Sequence, residues 1–295
     1  MNQRHLAVVV AAFAALSAQA APKATTADLI VLMDESGSMT GEQAWMRTVV
    51  PTLDAELGAL GLTGNRFGLT GFGASAAGKP HYVRSFSIGG SQLGSAADWV
   101  TASAGLAASG STEDGWAALN QAATIAPRAG AARNIILVTD EDRDNTDPSL
   151  TFGGLLADMQ ADRTLLNVVV NNTFRCGDGS AAMGIIGTTG FKADGAGGFS
   201  TCTGAFASGA GSTRAAYVDL ALATGGGAWN LNILRNGGLH AESFTSAFVA
   251  GKVGEIITQP PAVPEPTTWG LACTGLLVAG WVARRQRRGT AAASA

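Results

Sequence analysis

Apolar runs of strand length alternate with helical periodicity along the middle of the chain. Residues 28–33, 134–139 and 164–170 are nearly unbroken apolar runs, typical of strands buried on both faces of a parallel sheet. Segments 42–60 and 113–125 instead place apolar side chains three or four residues apart, the spacing of an amphipathic helix. This alternation predicts a Rossmann-like α/β domain with a mainly parallel sheet flanked by helices on both faces.

Weaker patterns complete the series. Pro51 should kink or split the first helix, and Pro148 is placed to start a helix at 149–161. Further strands are predicted at 66–72, 81–86 and 227–233, and further helices around Trp99 and at 215–223 and 242–257.

Residues 174–213 break the alternation. Eleven of these 40 residues are glycine, which predicts a long irregular insertion in the domain. The insertion holds Cys176 and Cys202, and in an exported protein this even pair favours a disulfide over two free thiols. The third cysteine, Cys273, lies near the end of the chain and has no obvious partner.

Both ends of the chain have the composition of targeting segments. Residues 1–20 combine a basic start, an apolar run and a small-residue cleavage site, which predicts a secretory signal peptide. The alternative, an uncleaved anchor, is disfavoured because the run is short for a bilayer. Near the other end, the Pro-rich segment 258–267 predicts an extended linker. Residues 268–283 carry no charge and predict a transmembrane helix, and four arginines follow that would keep the C-terminus in the cytoplasm. A buried core helix with a basic tail is the alternative.

The order of features at the C-terminus resembles the PEP-CTERM sorting signal. Residues 263–266 read VPEP, and the apolar segment and the arginine cluster follow them. This resemblance covers 263–290 and implies an exported protein of a Gram-negative bacterium, processed by an exosortase and associated with exopolysaccharide. The domain would then stand in the periplasm on an inner-membrane anchor. After processing it would reach the cell surface or the extracellular matrix.

The charge balance restricts the class of partner. The chain has 19 basic and 22 acidic side chains, and removal of the two predicted targeting ends leaves about −7 on the remainder. No basic excess exists to neutralise a phosphate backbone, so a nucleic-acid partner is not expected. An acidic domain suits cation binding instead.

Oxygen-bearing side chains follow three predicted structural boundaries. Asp34, Ser36 and Ser38 come directly after the first strand, Thr112 opens a helix, and Asp140 follows the strand at 134–139. Because parallel strands end at one edge of a sheet, we expect these side chains to meet there. Hydroxyl and carboxylate oxygens suit Mg²⁺ first, with Ca²⁺ or Mn²⁺ as alternatives, and suit Zn²⁺ less. Two carboxylates only about balance a divalent ion, which would leave it able to accept an acidic group from a partner.

This constellation resembles the von Willebrand factor type A (vWA) domain and its metal-ion-dependent adhesion site (MIDAS). The family pattern is D-x-S-x-S after the first strand, a later Thr, and an Asp after the fourth strand. The resemblance covers 27–257. It implies direct metal coordination by Ser36, Ser38 and Thr112, with Asp34 and Asp140 acting mostly through water. The alternative is a capped turn made by Asp34 and Ser36, which does not explain Thr112 and Asp140.

Several acidic residues near these positions have a plainer interpretation. Glu113 and Asp114 are interpreted as charges that stabilise a helix N-terminus. The loop after Asp140 is interpreted as solvated and acidic, with a second cation site as the less favoured alternative. The residues of this loop are Glu141, Asp142, Asp144 and Asp147.

No enzyme motif accompanies these residues. A G-x-S-x-G elbow, an H-E-x-x-H motif and a P-loop are all missing from the sequence, and its three histidines are far apart. We therefore expect a non-catalytic, adhesin-type module that binds an extracellular protein or polysaccharide through a divalent cation. The alternatives are a structural protein of the extracellular matrix and, less favoured, a hydrolase with an unrecognised site.

Overall fold

The computed structural model describes residues 23–76 and 79–262, which form alternating strands and helices. The strands are β1 (Thr26–Asp34), β2 (Arg66–Ala76), β3 (Lys79–Ser85), β4 (Ala131–Val138), β5 (Leu165–Val170), β6 (Phe174–Arg175), β7 (Ala181–Ala182), β8 (Gly184–Ile186), β9 (Thr189–Ala193), β10 (Phe199–Cys202), β11 (Phe206–Ala207) and β12 (Gly227–Asn230). The helices are α1 (Thr40–Ala59), α2 (Ala96–Ser103), α3 (Gly115–Ala123), α4 (Phe152–Ala161), α5 (Asp219–Thr224), α6 (Leu231–Arg235) and α7 (Gly238–Thr258).

The main sheet has nine strands in the order β10-β9-β8-β12-β5-β4-β1-β2-β3. The five strands from β12 to β2 run parallel. The outer strands β3, β8, β9 and β10 are antiparallel to their neighbours. The sheet is therefore mixed, and the prediction of a mainly parallel sheet is correct only for its centre. The outer strands depart from it because short turns can join only antiparallel neighbours.

Helices cover both faces of the sheet. In β1, Leu29, Val31 and Met33 pack into one core layer, while Ile30 and Leu32 pack into the other. Side chains of α1, α2 and α7 fill the first layer, and those of α3, α4 and α5 fill the second. This alternation explains why the strand reads as a continuous apolar run, since both of its faces are buried.

Helix α7 is held against the sheet by aromatic packing and by a hydrogen bond from the buried Lys252 to Asn134 of β4. The Trp229 ring lies 6.0 Å from Phe244 and 5.3 Å from Phe248, measured between ring centroids. The fully buried Lys252 donates to Glu255 Oε2 at 2.8 Å and to Asn134 Oδ1 at 2.6 Å. The ammonium group is thus paired inside the core, as its burial requires.

Three element predictions need correction. Helix α1 is not split by Pro51, because Pro51 faces solvent, where water can bond the carbonyl that loses its donor. Pro148 does not start α4; Thr151 caps the helix instead, accepting a hydrogen bond from Gly154 N at 3.1 Å. The strand predicted at 227–233 ends at Asn230, whose side chain caps α6 through Asn232 N.

The Gly-rich insertion is ordered into short strands rather than irregular. Strands β8, β9 and β10 extend the main sheet beyond β12, and β6, β7 and β11 form a separate three-stranded sheet. A disulfide joins Cys176 to Cys202. Gly190 packs so closely that a Cβ there would lie 2.6 Å from the Cys202 sulfur. Glycine at position 190 therefore allows this close packing. The backbone groups of the insertion are paired with one another and with β12 in the extended sheet.

The predicted signal peptide 1–20 and transmembrane helix 268–283 lie outside the described residues. Within residues 23–76 and 79–262, no helix is long and apolar enough to cross a membrane. The Ala262 amide donates to Ala131 O at 2.8 Å, at the start of β4. The last described residue therefore lies at the amino-terminal edge of the parallel strands, opposite the edge where Asp34 ends β1.

Replacement of both insertion cysteines by alanine should lower the free energy of unfolding by about 3 kcal/mol, because the unfolded chain regains the freedom of a 26-residue loop. Denaturant unfolding under non-reducing conditions measures this loss. Dithiothreitol should produce the same loss in the wild type and no further change in the variant. Equal stability of the wild type and the variant under non-reducing conditions would contradict the stabilising role of the disulfide.

Candidate functional site

Asp34 is the buried centre of the site. It ends β1 with no exposed surface, and two hydrogen bonds fix its carboxylate. Oδ1 accepts from Ser36 N at 2.7 Å, and Oδ2 accepts from the Thr139 hydroxyl at 2.7 Å. Thr139 follows β4, so two neighbouring parallel strands jointly orient this carboxylate.

A chain of hydrogen bonds runs outward from this centre. The Ser36 and Ser38 hydroxyls lie 3.1 Å apart, and Ser38 Oγ donates to Asp140 Oδ1 at 3.1 Å. Ser36 is buried, whereas Ser38 is exposed. Four of the five predicted ligands are thus contiguous, with their outer end open to solvent.

The loop that bears these serines is anchored by Glu35, which has no exposed surface. Its carboxylate forms an ion pair with Arg84 of β3 and accepts from Ala107 N at 2.7 Å. This pairing leaves Ser36 and Ser38 as the residues of the loop that are available to a ligand.

Thr112, the fifth predicted residue, lies in the loop beside Asp34. A Cβ on Gly73 would meet Asp34 Oδ1 at 3.4 Å and the Thr112 carbonyl oxygen at 3.6 Å. The approach also requires Gly110, since a Cβ there would lie 1.8 Å from the Gly73 oxygen. The structure thus places the Thr112 backbone beside Asp34, whereas Thr112 is not among the residues that line the polar cavity.

A polar cavity of about 300 Å³ opens over this edge of the sheet. A larger, mostly apolar groove of about 550 Å³ runs between α1 and α7, away from these oxygens. The side chains that line the polar cavity are hydroxyls and carboxylates, namely Ser36, Ser38, Ser111, Glu113, Glu141, Asp142 and Asp144.

Two buried carboxylates at the cavity have perturbed acidity. Burial raises the pKa of Asp34 to about 6, against the opposing effect of its hydrogen bonds from Thr139 and Ser36. Burial, followed by the like charges of Asp34 and Asp144, raises the pKa of Glu113 to about 7. In both cases the negative form is disfavoured, and a bound cation would relieve that cost.

Sequence reasoning missed two residues of this site. Glu113 was assigned to a helix N-terminus, yet it lines the cavity while Asp114 caps α3 through Trp116 N at 3.1 Å. Arg235 had no assigned role, yet its Nη1 donates to Asp140 Oδ2 at 2.9 Å and its Nε to Glu42 Oε1 at 2.7 Å. Arg235 lies almost a hundred residues from Asp140, so no local pattern could reveal the pair.

The acidic loop is largely solvent-exposed, as interpreted from the sequence, and hydrogen bonds also fix its position. Asp142 accepts hydrogen bonds from Ser212 and Thr213, at the end of the insertion. Asp147 accepts from the Ser149 amide at 3.0 Å. The insertion therefore returns to the same face as the candidate site.

The donor set fits a hard divalent cation. Hydroxyl and carboxylate oxygens converge at Ser36, Ser38, Asp34 and Asp140, and such oxygens suit Mg²⁺, Ca²⁺ and Mn²⁺. Within the described ranges, no group of three or more His, Cys, Asp or Glu side chains is arranged to hold a metal ion. A cation at this edge would therefore depend on the hydroxyls as well as the carboxylates.

Residues 262–288 match the family model for the PEP-CTERM protein-sorting motif. The match confirms the sorting tail predicted at 263–290 and indicates an exported protein. The motif implies processing by an exosortase-type enzyme. No curated protein sequence matches the chain at a significant level.

Solved structures show a partial likeness to this chain. Proximal thread matrix protein 1 from the mussel byssus is 17% identical, with a TM-score of 0.39 over 52% of this chain and 40% of that one. Another structure of the mussel protein has a zinc-occupied MIDAS motif and is 17% identical, with a TM-score of 0.38 over 51% and 37%. A von Willebrand factor type A structure from Catenulispora acidiphila is 20% identical, with a TM-score of 0.37 over 49% and 33%. This chain spans two fifths or less of the length of each.

The Asp34→Asn variant should become more stable than the wild type as pH rises, when no cation is present. Asp34 has a folded-state pKa of about 6 and an ordinary value of 3.8, so the wild type loses stability between these values, where the unfolded chain has released the proton that the folded protein still holds. The difference between variant and wild type should widen by about 1.4 kcal/mol per pH unit between pH 4 and 6. Urea unfolding in EDTA measures it.

The exposed Asp158 of α4 supplies the matched control for this titration. Asp158→Asn should leave the pH dependence of unfolding as in the wild type. A constant stability difference between Asp34→Asn and the wild type from pH 4 to 7 would contradict the buried-charge assignment.

Proposed function

We propose that this chain is an exported, non-catalytic binding module that holds a divalent cation at the carboxyl edge of its sheet and recognises an acidic group of an extracellular partner. One observation carries the proposal. The Asp34 carboxylate, the Ser36 amide and hydroxyl, the Ser38 hydroxyl and the Asp140 carboxylate form one hydrogen-bonded row across two strand ends, and this row is exposed to solvent at Ser38.

The five predicted ligands have two different roles. Ser36, Ser38 and Thr112 would ligate the ion directly through uncharged oxygens, as the vWA resemblance implies. Asp34 and Asp140 would hold it mostly through water and balance its charge. When bound, the cation supplies a Lewis-acidic position for a carboxylate of a protein or polysaccharide. Mg²⁺ suits this mixed hydroxyl and carboxylate set, with Ca²⁺ or Mn²⁺ as alternatives.

The position of Ala262 supports an orientation in which the candidate site faces away from the membrane. Ala262 pairs with Ala131 at the amino-terminal edge of the sheet, and the sorting motif begins at residue 262. A membrane anchor at 268–283 would thus hold the domain by the edge opposite to Asp34. The candidate site would face away from the membrane, toward the cell surface or matrix after processing.

Asp34→Ala should abolish cation-dependent retention of the purified protein on the extracellular matrix of the producing organism. The substitution removes the carboxylate that orients Ser36 and balances the cation. Retention should fall at least about tenfold, as expected for a lost charge-assisted contact, and EDTA should have the same effect on the wild type. A co-sedimentation assay in Mg²⁺ measures the bound fraction.

Asp158→Ala, an exposed carboxylate on α4, is the matched control and should bind as the wild type does. If the wild type, the variant and the EDTA sample are retained equally, the cation-dependent mechanism is wrong. A structural role in the matrix would then replace it.

A further inference from the structure

Glu113 is a buried carboxylate that the fold leaves unpaired. It is 3% exposed and lines the polar cavity. Within the described residues, its carboxylate accepts no hydrogen bond and forms no ion pair. Burial disfavours the charged form of this carboxylate, so a cation in the cavity would stabilise it.

Two hydrogen bonds of its backbone fix the position of Glu113 near Asp34. Glu113 N donates to Asp144 Oδ2 at 2.7 Å, and Asp144 N donates to Glu113 O at 3.0 Å, which clamps the residue on both sides. A Cβ on Gly73 would lie 3.0 Å from Glu113 Cγ and 3.4 Å from Asp34 Oδ1. The two acidic side chains therefore both lie against Gly73, where a positive φ of 83° and the lack of space favour glycine.

The charges around Glu113 are negative, and the nearby arginines are engaged elsewhere. Asp34, Asp144, Glu141 and Asp140 all act electrostatically on its carboxylate. Arg143 pairs with Asp114 at 2.9 Å, and Arg235 is shared between Glu42 and Asp140. No cationic side chain of the described residues therefore balances Glu113.

We propose that Glu113 is a further charge-balancing residue of the cation site, which with Asp34 holds a divalent cation in the cavity. This inference rests on the proposed function and extends it beyond the five residues of the vWA pattern. Glu113 acts through water or through its field, since no three carboxylates of the described residues are arranged as a metal cluster. Its role is to raise cation affinity at the expense of the cation-free fold.

The test uses Glu113→Gln in the purified full-length chain, kept in mild detergent and stripped with EDTA. Without cation, the variant should melt about 2–6 °C higher than the wild type, because a buried unpaired charge is removed. Its Kd for Mg²⁺, measured by isothermal titration calorimetry, should be at least about tenfold weaker. Glu56→Gln, an exposed glutamate of α1 in the groove away from the cavity, is the matched control and should leave both quantities close to the wild type.

The outcomes separate this inference from the proposed function. If wild-type protein binds no Mg²⁺, Ca²⁺ or Mn²⁺, the proposed function fails. If the wild type binds and Glu113→Gln binds equally well, only the role of Glu113 is overturned. A lower melting temperature of the cation-free variant would also overturn it, since Glu113 would then stabilise the fold itself.

Discussion

The burial of negative charge at the end of β1 is the constraint on which the rest of the site depends. Asp34 has no exposed surface, and Glu113 lies beside it with 3% exposure. Two hydrogen bonds from the protein partly stabilise Asp34, whereas Glu113 has none within the described residues. Carboxylates held together in this way favour a proton or a cation, and the adjacent hydroxyls of Ser36 and Ser38 are ligands for a cation.

The fold places the candidate site and the end of the described chain at opposite edges of the sheet. The parallel strands bring Asp34, Thr139 and Asp140 to one edge of the sheet, while the chain leaves the described domain at the other edge, beside Ala131. The aromatic contacts of α7 and the hydrogen bond from Lys252 to Asn134 secure this last described helix against the sheet. The cavity and Ala262, the last described residue, thus lie at opposite edges of the sheet.

Much of the architecture follows from local pattern, and the remainder depends on contacts that sequence does not show. The apolar run of β1 predicts the strand correctly, and Ser38, which follows it, meets Asp140 at one edge of the sheet as predicted, because parallel strands end at the same edge. The strands of the insertion could not be predicted from local pattern. Glycines such as Gly190 fit there because of close packing against Cys202, not because of strand propensity. The roles of Glu113 and Arg235 could not be predicted either, because the neighbours of each residue come from distant loops. Local charge patterns assign such residues to helix ends or to solvent.

The most direct test of the central claim is a crystal structure of the protein grown in Mn²⁺, with anomalous diffraction recorded at the manganese edge. We predict an anomalous peak at the carboxyl edge of the sheet, at ligand distance from the Ser36 and Ser38 hydroxyls and beside Asp34 and Glu113. Crystals soaked in EDTA should lose the peak. A map with no peak at this edge, and with Ser38 and Arg235 still bonded to Asp140 at saturating Mn²⁺, would contradict the claim that this edge binds a cation.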